Sequence, residues 1–174
     1  MAELRIRTAR HTIRVAAPPQ RVYQVLANVD PWPDLFDALV AVEHLGIAGA
    51  CERIRFWRRD DGVLRGWTSA RELNPKRLQV RFRREDPTAP LASLGGLWLV
   101  APKRNDSIVV LDHYYRVLGD DDAAATALAE KIATGSTATL TALRQAVEFD
   151  HLATQWTSTS DLNEADPAKG VSPS

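Results

Sequence analysis

The chain has little with which to do covalent or metal chemistry. A single cysteine, Cys51, excludes an intramolecular disulfide and any multi-cysteine metal site. Cys51 opens an apolar-alternating run with no basic neighbour in sequence, so a thiolate nucleophile is not expected. His11, His44 and His151 lack metal-ligand spacing, and no phosphate-binding glycine loop or nucleophile elbow occurs. Nowhere do eighteen apolar residues stand together, and "MAELRIRTARH" has no apolar stretch of signal length. That predicts a soluble, unexported, cytoplasmic protein. The 22 basic and 22 acidic residues cancel, so net charge gives no argument for a nucleic-acid or membrane partner.

What is present suits one domain of 174 residues with a sizeable core. From Arg53 to Arg84 eleven Lys and Arg stand against Asp60, Asp61 and Glu72, a surplus of eight, so the middle of the fold should carry a basic face. "HTIRVA" at 11–16 alternates with Ile13 and Val15 on one side, a strand signature. Pro18 and Pro19 suit a helix start, and Val22, Val25 and Leu26 recur at helical spacing as far as Asn28. "DPWPDLFDAL" predicts one more helical turn with Trp32, Leu35 and Phe36 on its apolar side. From Leu39 to Leu118, apolar runs are separated by Gly46/Gly49, Asp60-Asp61-Gly62, Asn74-Pro75, a Pro87 to Pro90 loop and Asn105-Asp106, which predicts an antiparallel meander. After Gly119 an acidic cluster opens one long helix with the stripe Leu128, Ile132, Thr139, Leu143 and Val147. The expected boundaries are an N-terminal extension at 1–10, a domain at 11–150 and a disordered polar tail at 151–174.

Strand alternation then sorts the faces. Val109, Leu111, Tyr115 and Val117 share a side with His113, while Asp112 and Arg116 take the wetter one. Leu78, Val80 and Phe82 lead to Arg84, and Val63, Trp67 and Leu73 share a side with Arg65, Ser69 and Arg71. The inside would hold Arg71, Arg84 and His113 with no evident carboxylate. An unpaired guanidinium in a dry core costs several kcal/mol of the roughly 5–15 kcal/mol that stabilise a domain. The expectation is therefore a cavity filled by water or ligand and walled by aromatic residues. Gly135, Ser136 and Thr139 leave room for it in the core-facing middle of the helix. Plainer roles stay open beside this: Arg84 snorkelling to solvent, Arg71 ion-paired or on the surface, His113 a hydrogen-bonded core histidine, and the tryptophans ordinary core.

"HTIRVAAPPQRVYQVLANVDPWPDLF", "GWTSARELNP", "TAPLASLGGLW" and "VVLDHYYRV", in that order, resemble the bacterial aromatic polyketide aromatase/cyclases, over His11 to Phe149. The resemblance implies an α+β, helix-grip (START-like) fold: a curved antiparallel sheet of about seven strands wrapped around a long C-terminal helix, with two short helices after the first strand and an internal cavity. It implies a lyase of antibiotic biosynthesis that closes and dehydrates the first ring of a poly-β-ketone on an acyl carrier protein, beside minimal polyketide synthase components, without metal or organic cofactor. Arg71 and His113 would be catalytic, the first steadying an oxyanion and the second moving protons. Trp32, Phe36, Trp67, Ser69, Arg84, Trp98, Tyr115, Ser136 and Thr139 would hold the substrate. Thr139 stands where related members carry a carboxylate in the long helix, and threonine is no base at neutral pH. Some members join two such domains, so a homodimer is one arrangement the resemblance admits. The alternative on the same fold is a non-catalytic binding or transport protein for a hydrophobic or aromatic molecule.

Overall fold

The reversal at Asp61-Gly62 sets much of the sheet. Both residues hold positive φ, 48° and 79°, the conformation that two-residue hairpins need and that Gly62 adopts without strain. The strands on either side, β3 (Cys51–Asp60) and β4 (Val63–Asn74), therefore pair from Asp60 opposite Val63 to Phe56 opposite Trp67 and Glu52 opposite Arg71. The computed structural model describes residues 2–163 in backbone and 2–150 in side chains. Among them, β1 (Arg7–Val15), β2 (Leu39–Ala48), β5 (Gln79–Arg84), β6 (Leu91–Lys103) and β7 (Asp106–Val117) complete one antiparallel sheet in the order β1-β7-β6-β5-β4-β3-β2.

Two short helices, α1 (Pro19–Ala27) and α2 (Trp32–Leu35), fill the connection from β1 to β2. Prolines at their first turns pre-set the backbone, as Pro18 and Pro19 predict for α1. The long α3 (Asp122–Asn163) follows β7 and is capped by Asp121, whose Oδ1 accepts a hydrogen bond of 2.7 Å from the Ala124 N–H. One core cluster joins α1, the sheet and the later turns of α3 through Val22, Leu26, Val80, Val109, Leu140 and Leu143. A second joins Tyr115 and Val117 to Ala125 near the start of α3. Between the two, α3 presents Gly135, Ser136 and Thr139, and the sheet stands off from it.

Three expectations are corrected. The first strand begins at Arg7, not His11, because Arg7, Ala9, His11 and Ile13 already alternate inward while Thr8, Arg10, Thr12 and Arg14 are exposed. The helix runs to Asn163, so residues 151–163 are not a disordered tail; neither Gly nor Pro interrupts the chain from Ser136 to Asn163. The rest of that expected tail, 164–174, lies outside the described residues. Asp112 does point to the outer face but is buried there, because Arg10 covers it with a two-pronged ion pair at 2.7 and 2.8 Å.

Gly96 is a close approach. A Cβ there would lie 2.1 Å from the Asp112 carbonyl oxygen and 2.4 Å from Phe82 Cζ. Gly96→Ala is expected to destabilise the protein by about 3 kcal/mol, the upper end of overpacking costs, because backbone as well as a ring must move. Urea denaturation checks this, and a loss below about 1 kcal/mol would mean that β6 and β7 separate more easily than their pairing suggests.

Candidate active site

The stand-off between sheet and α3 encloses a cavity of about 670 Å³, within the range of small-molecule sites. Its wall follows from strand parity and helical spacing. Inner-face positions of β3, β4, β5, β6 and β7 contribute Phe56, Trp67, Ser69, Phe82, Trp98, Leu111 and His113. The helix contributes Leu128, Lys131, Ile132, Gly135, Ser136 and Thr139, which recur every three or four residues along one side of α3. One flank is aromatic: Trp32 meets Phe36 edge-on at 5.2 Å and stacks on Phe56 at 5.7 Å, and Phe56 stacks on Trp67 at 5.4 Å. Trp32 is fixed by its indole N–H, which donates to the Val25 carbonyl at 2.8 Å. The mouth is charged, with Arg58, Arg65 and Lys131 set against Asp60.

Arg71 faces inward, as parity predicts, and is only 3% exposed. It is not the unpaired cation that the sequence suggested. The hairpin register sets Glu52 directly opposite, and Nη1 donates to Glu52 Oε1 at 2.5 Å. Nη1 also donates to the Ala27 carbonyl at 3.4 Å, and Nη2 to the Leu26 carbonyl. These are the end of α1, where carbonyls lack helical partners and cations are favoured. The guanidinium carbon also sits 5.3 Å from the Trp32 ring centre. Burial lowers the Arg71 pKa, and the Glu52 carboxylate opposes that fall. Arg71 is thus a clamp between α1, β3 and β4 that also forms part of the cavity wall.

The uncommitted polar atoms lie elsewhere on the wall. Among the described residues, Arg84 Nε, His113 Nδ1 and Ser136 Oγ are buried with no hydrogen-bond partner, and all three residues line the cavity. Arg84 has only a loose ion pair with Asp86 at 3.9 Å. His113 lies edge-on to Phe82, ring centres 5.7 Å apart. Its pKa is pushed down to about 4, mainly by burial and next by the charge of His11, so it is neutral at neutral pH.

Arg71 and His113 share one rung of the sheet, since Arg71 pairs with Phe82, Phe82 with Gly96 and Gly96 with His113. Three strand spacings put their backbones about 14 Å apart. Trp32, Phe36, Trp67, Ser69, Arg84, Trp98, Ser136 and Thr139 are all brought onto the same wall. Tyr115 is not: it packs with Val117 and Ala125 in the second cluster, behind Leu94, Leu128 and Ile132, which face the cavity in its place. Sequence reasoning missed Glu52 and the charged mouth, although Arg58 and Asp60 simply continue the inward parity of Ile54 and Phe56.

Residues 7–148 match the family described as polyketide cyclase / dehydrase and lipid transport. A granaticin polyketide synthase bifunctional cyclase/dehydratase from Streptomyces violaceoruber is 36% identical over 147 residues, 84% of this chain and 45% of that protein. The di-domain aromatase/cyclase BexL from the BE-7585A biosynthetic pathway is 38% identical with a TM-score of 0.76, the match covering 82% of this chain and 46% of that one. The Zhui aromatase/cyclase from Streptomyces sp. R1128 is 27% identical with a TM-score of 0.74, over 83% of this chain and 94% of that one. The chain spans about half the length of the curated relatives it matches, 45% and 42% in two cases. Matched from its first strand into its last helix on a helix-grip, START-like fold, the chain belongs to the polyketide cyclase / dehydrase and lipid transport family.

Proposed function

We propose that the protein is a cyclase/dehydratase that closes and aromatises the first ring of a poly-β-ketone, and that His113 rather than Arg71 is its proton-transfer group. The observation that carries this reading is the set of unpartnered polar atoms, Arg84 Nε, His113 Nδ1 and Ser136 Oγ, on the wall of an aromatic cavity. A methylene between two ketones is acidic enough for a neutral imidazole to take its proton. The enolate carbon then bonds to a distant ketone carbon, and the alkoxide so formed takes the proton back from the His113 imidazolium. Loss of a second α-proton and of the hydroxyl as water forms the ring double bond, and enolisation of the remaining ring ketones completes the aromatic ring. Arg84, on the same wall, would steady the developing oxyanion with a cation held ready in a partly dry site. Arg71, held by Glu52 and two carbonyls, shapes and charges the far wall. Trp32, Phe56 and Trp67 restrict the folding of the substrate chain. The cationic mouth, Arg58, Arg65 and Lys131, suits the anionic phosphate linker of an acyl carrier protein. A partner synthase and a cytoplasmic setting belong to the same reading.

A second reading is a carrier of hydrophobic molecules, favoured by one observation: Asp60 at the mouth is the only carboxylate on the cavity wall among the described residues. A synthase reconstituted with this protein separates the two. His113→Phe and Arg84→Met are each expected to lower the first-ring aromatic product about 100-fold while leaving binding of a bicyclic aromatic mimic within a few-fold of wild type. An unchanged product spectrum with both variants would leave the carrier reading standing.

A further inference from the structure

The interior of α3 carries a glycine that neither its backbone nor its packing requires. Gly135 stands well inside the helix, in the ordinary helical conformation and not in the left-handed one of Gly49, Gly62 and Gly119. Glycine weakens a helix interior relative to alanine, because it has more backbone freedom to lose. Gly66, the other glycine on the cavity wall, is explained by packing, since a Cβ there would lie 2.8 Å from the Trp57 ring. At Gly135 a Cβ would meet nothing within 4 Å beyond the helix itself. The open space beside it is the cavity, whose wall includes Gly135 with Lys131 one turn before it and Thr139 one turn after. Lys131 belongs to the charged mouth, so Gly135 is the next position on that flank of α3. Its chain neighbour Ser136 is only 3% exposed, and the Ser136 Oγ has no hydrogen-bond partner among the described residues. An unpartnered buried hydroxyl beside open space is a place for a polar atom of a ligand.

We propose that Gly135 is a specificity-determining residue, whose missing side chain leaves the clearance that the cavity needs to take fused aromatic rings. The inference deepens the proposed function by naming the size of the guest, and it rests on that reading only in placing the guest in this cavity. A linear poly-β-ketone stays slender however long it is, whereas the same carbons closed into fused rings form a wide, rigid plate. A site that receives the chain and holds the ring therefore needs width as well as length. Side chains on a helix lean toward its N-terminus, so a larger residue at 135 would reach back toward Lys131 and Ile132, across the flank that leads from the mouth. Close-packed walls do not yield to added carbons without strain, so filling this space would exclude wide guests before narrow ones. Ser136 Oγ supplies the polar contact for a ring hydroxyl or ketone in the space that Gly135 leaves open. The weaker helix is the cost of that space.

Calorimetric binding of resorcinol, a dihydroxynaphthalene and a dihydroxyanthraquinone, with one, two and three rings, to the full chain tests this. Gly135→Leu is expected to weaken the three-ring probe by at least about tenfold, the scale of a misfit in an apolar pocket, and to leave the one-ring probe within about threefold of wild type. Gly135→Ala should give a smaller loss in the same order. It should also unfold at a higher urea concentration than wild type, because alanine is the better helix former and its Cβ enters open space. That variant keeps the inference testable if Gly135→Leu does not fold. Unchanged affinity for all three probes would mean that a side chain at 135 does not reach the guest, and would overturn the inference. An equal loss for all three would overturn it too, because the position would then not discriminate by size. So would a lower urea midpoint for Gly135→Ala, which would show that packing keeps the glycine. Only binding and stability are read here. A wild-type protein that forms no ring in the reconstituted synthase, yet loses the wide probe first in Gly135→Leu, would overturn the proposed function and leave this inference standing.

Discussion

Arg71→Ala is expected to destabilise the protein by about 3–5 kcal/mol, the loss that follows when one member of a buried ion pair is removed. The change would strand the Glu52 carboxylate, 12% exposed at its side chain, and would leave the Leu26 and Ala27 carbonyls without their donor at the end of α1. Arg71→Lys should recover little, because an ammonium on a flexible stem does not span a carboxylate on β3 and two carbonyls on α1 in one fixed plane. Removing both charges, with Glu52→Gln and Arg71→Met together, should cost less than Arg71→Ala alone, since no charge is then buried unpaired. Urea unfolding at neutral pH measures all three; a loss below about 1 kcal/mol for Arg71→Ala would show that the clamp bears no strain. Loss of activity in Arg71→Ala, taken alone, would not mark a catalytic residue, because the cavity wall that α1 and α2 complete would loosen with it. His113 and Arg84, which carry no comparable set of contacts, give the cleaner assay of chemistry.

The pairing of Glu52 with Arg71 could be counted from the sequence. Asp60-Asp61-Gly62 already signals a two-residue reversal, and stepping back from Asp60 opposite Val63 brings Glu52 to Arg71. Parity gives the face of each residue, whereas register gives its neighbour, and burial of a cation turns on the neighbour. Where parity alone sufficed, as for Ser69, Phe82, Arg84 and His113, the cavity wall was legible. Tyr115 shows where it stopped being so: the same inner face is cavity at His113 and packed core two residues later. That change depends on where Gly135, Ser136 and Thr139 of α3 fall along β7, a distance that no local pattern encodes. Asp112 was misjudged for a related reason, since its cover comes from Arg10, 102 positions away in the chain. The length of α3 was underestimated because Ser- and Thr-rich sequence is only neutral toward helix, and no breaker ends it before Asn163.

The pH dependence of stability should carry the signature of His113. Its folded-state pKa, about 4, lies below the ordinary imidazole value of 6.5. Between those limits the unfolded chain binds more protons than the folded one, so stability rises with pH across the window. The contribution is complete above about pH 6.5 and is lost as pH falls toward 4, up to about 3 kcal/mol in all. Glu85 and Asp112 add an acid-side loss of their own. Their pKa values are lowered chiefly by hydrogen bonds from Arg53 and Arg10, so their stabilisation fades only as pH falls below the ordinary carboxylate range. His113→Gln removes the first effect and leaves the second. Wild type is therefore expected to lose about 2–3 kcal/mol more than His113→Gln between pH 7 and 4, with the curves diverging above pH 5, before those two carboxylates titrate. Parallel curves over that span would mean that the His113 ring is hydrated in the folded protein. A hydrated ring would titrate near 6.5, and would be partly charged at neutral pH where the proposed chemistry needs an acceptor.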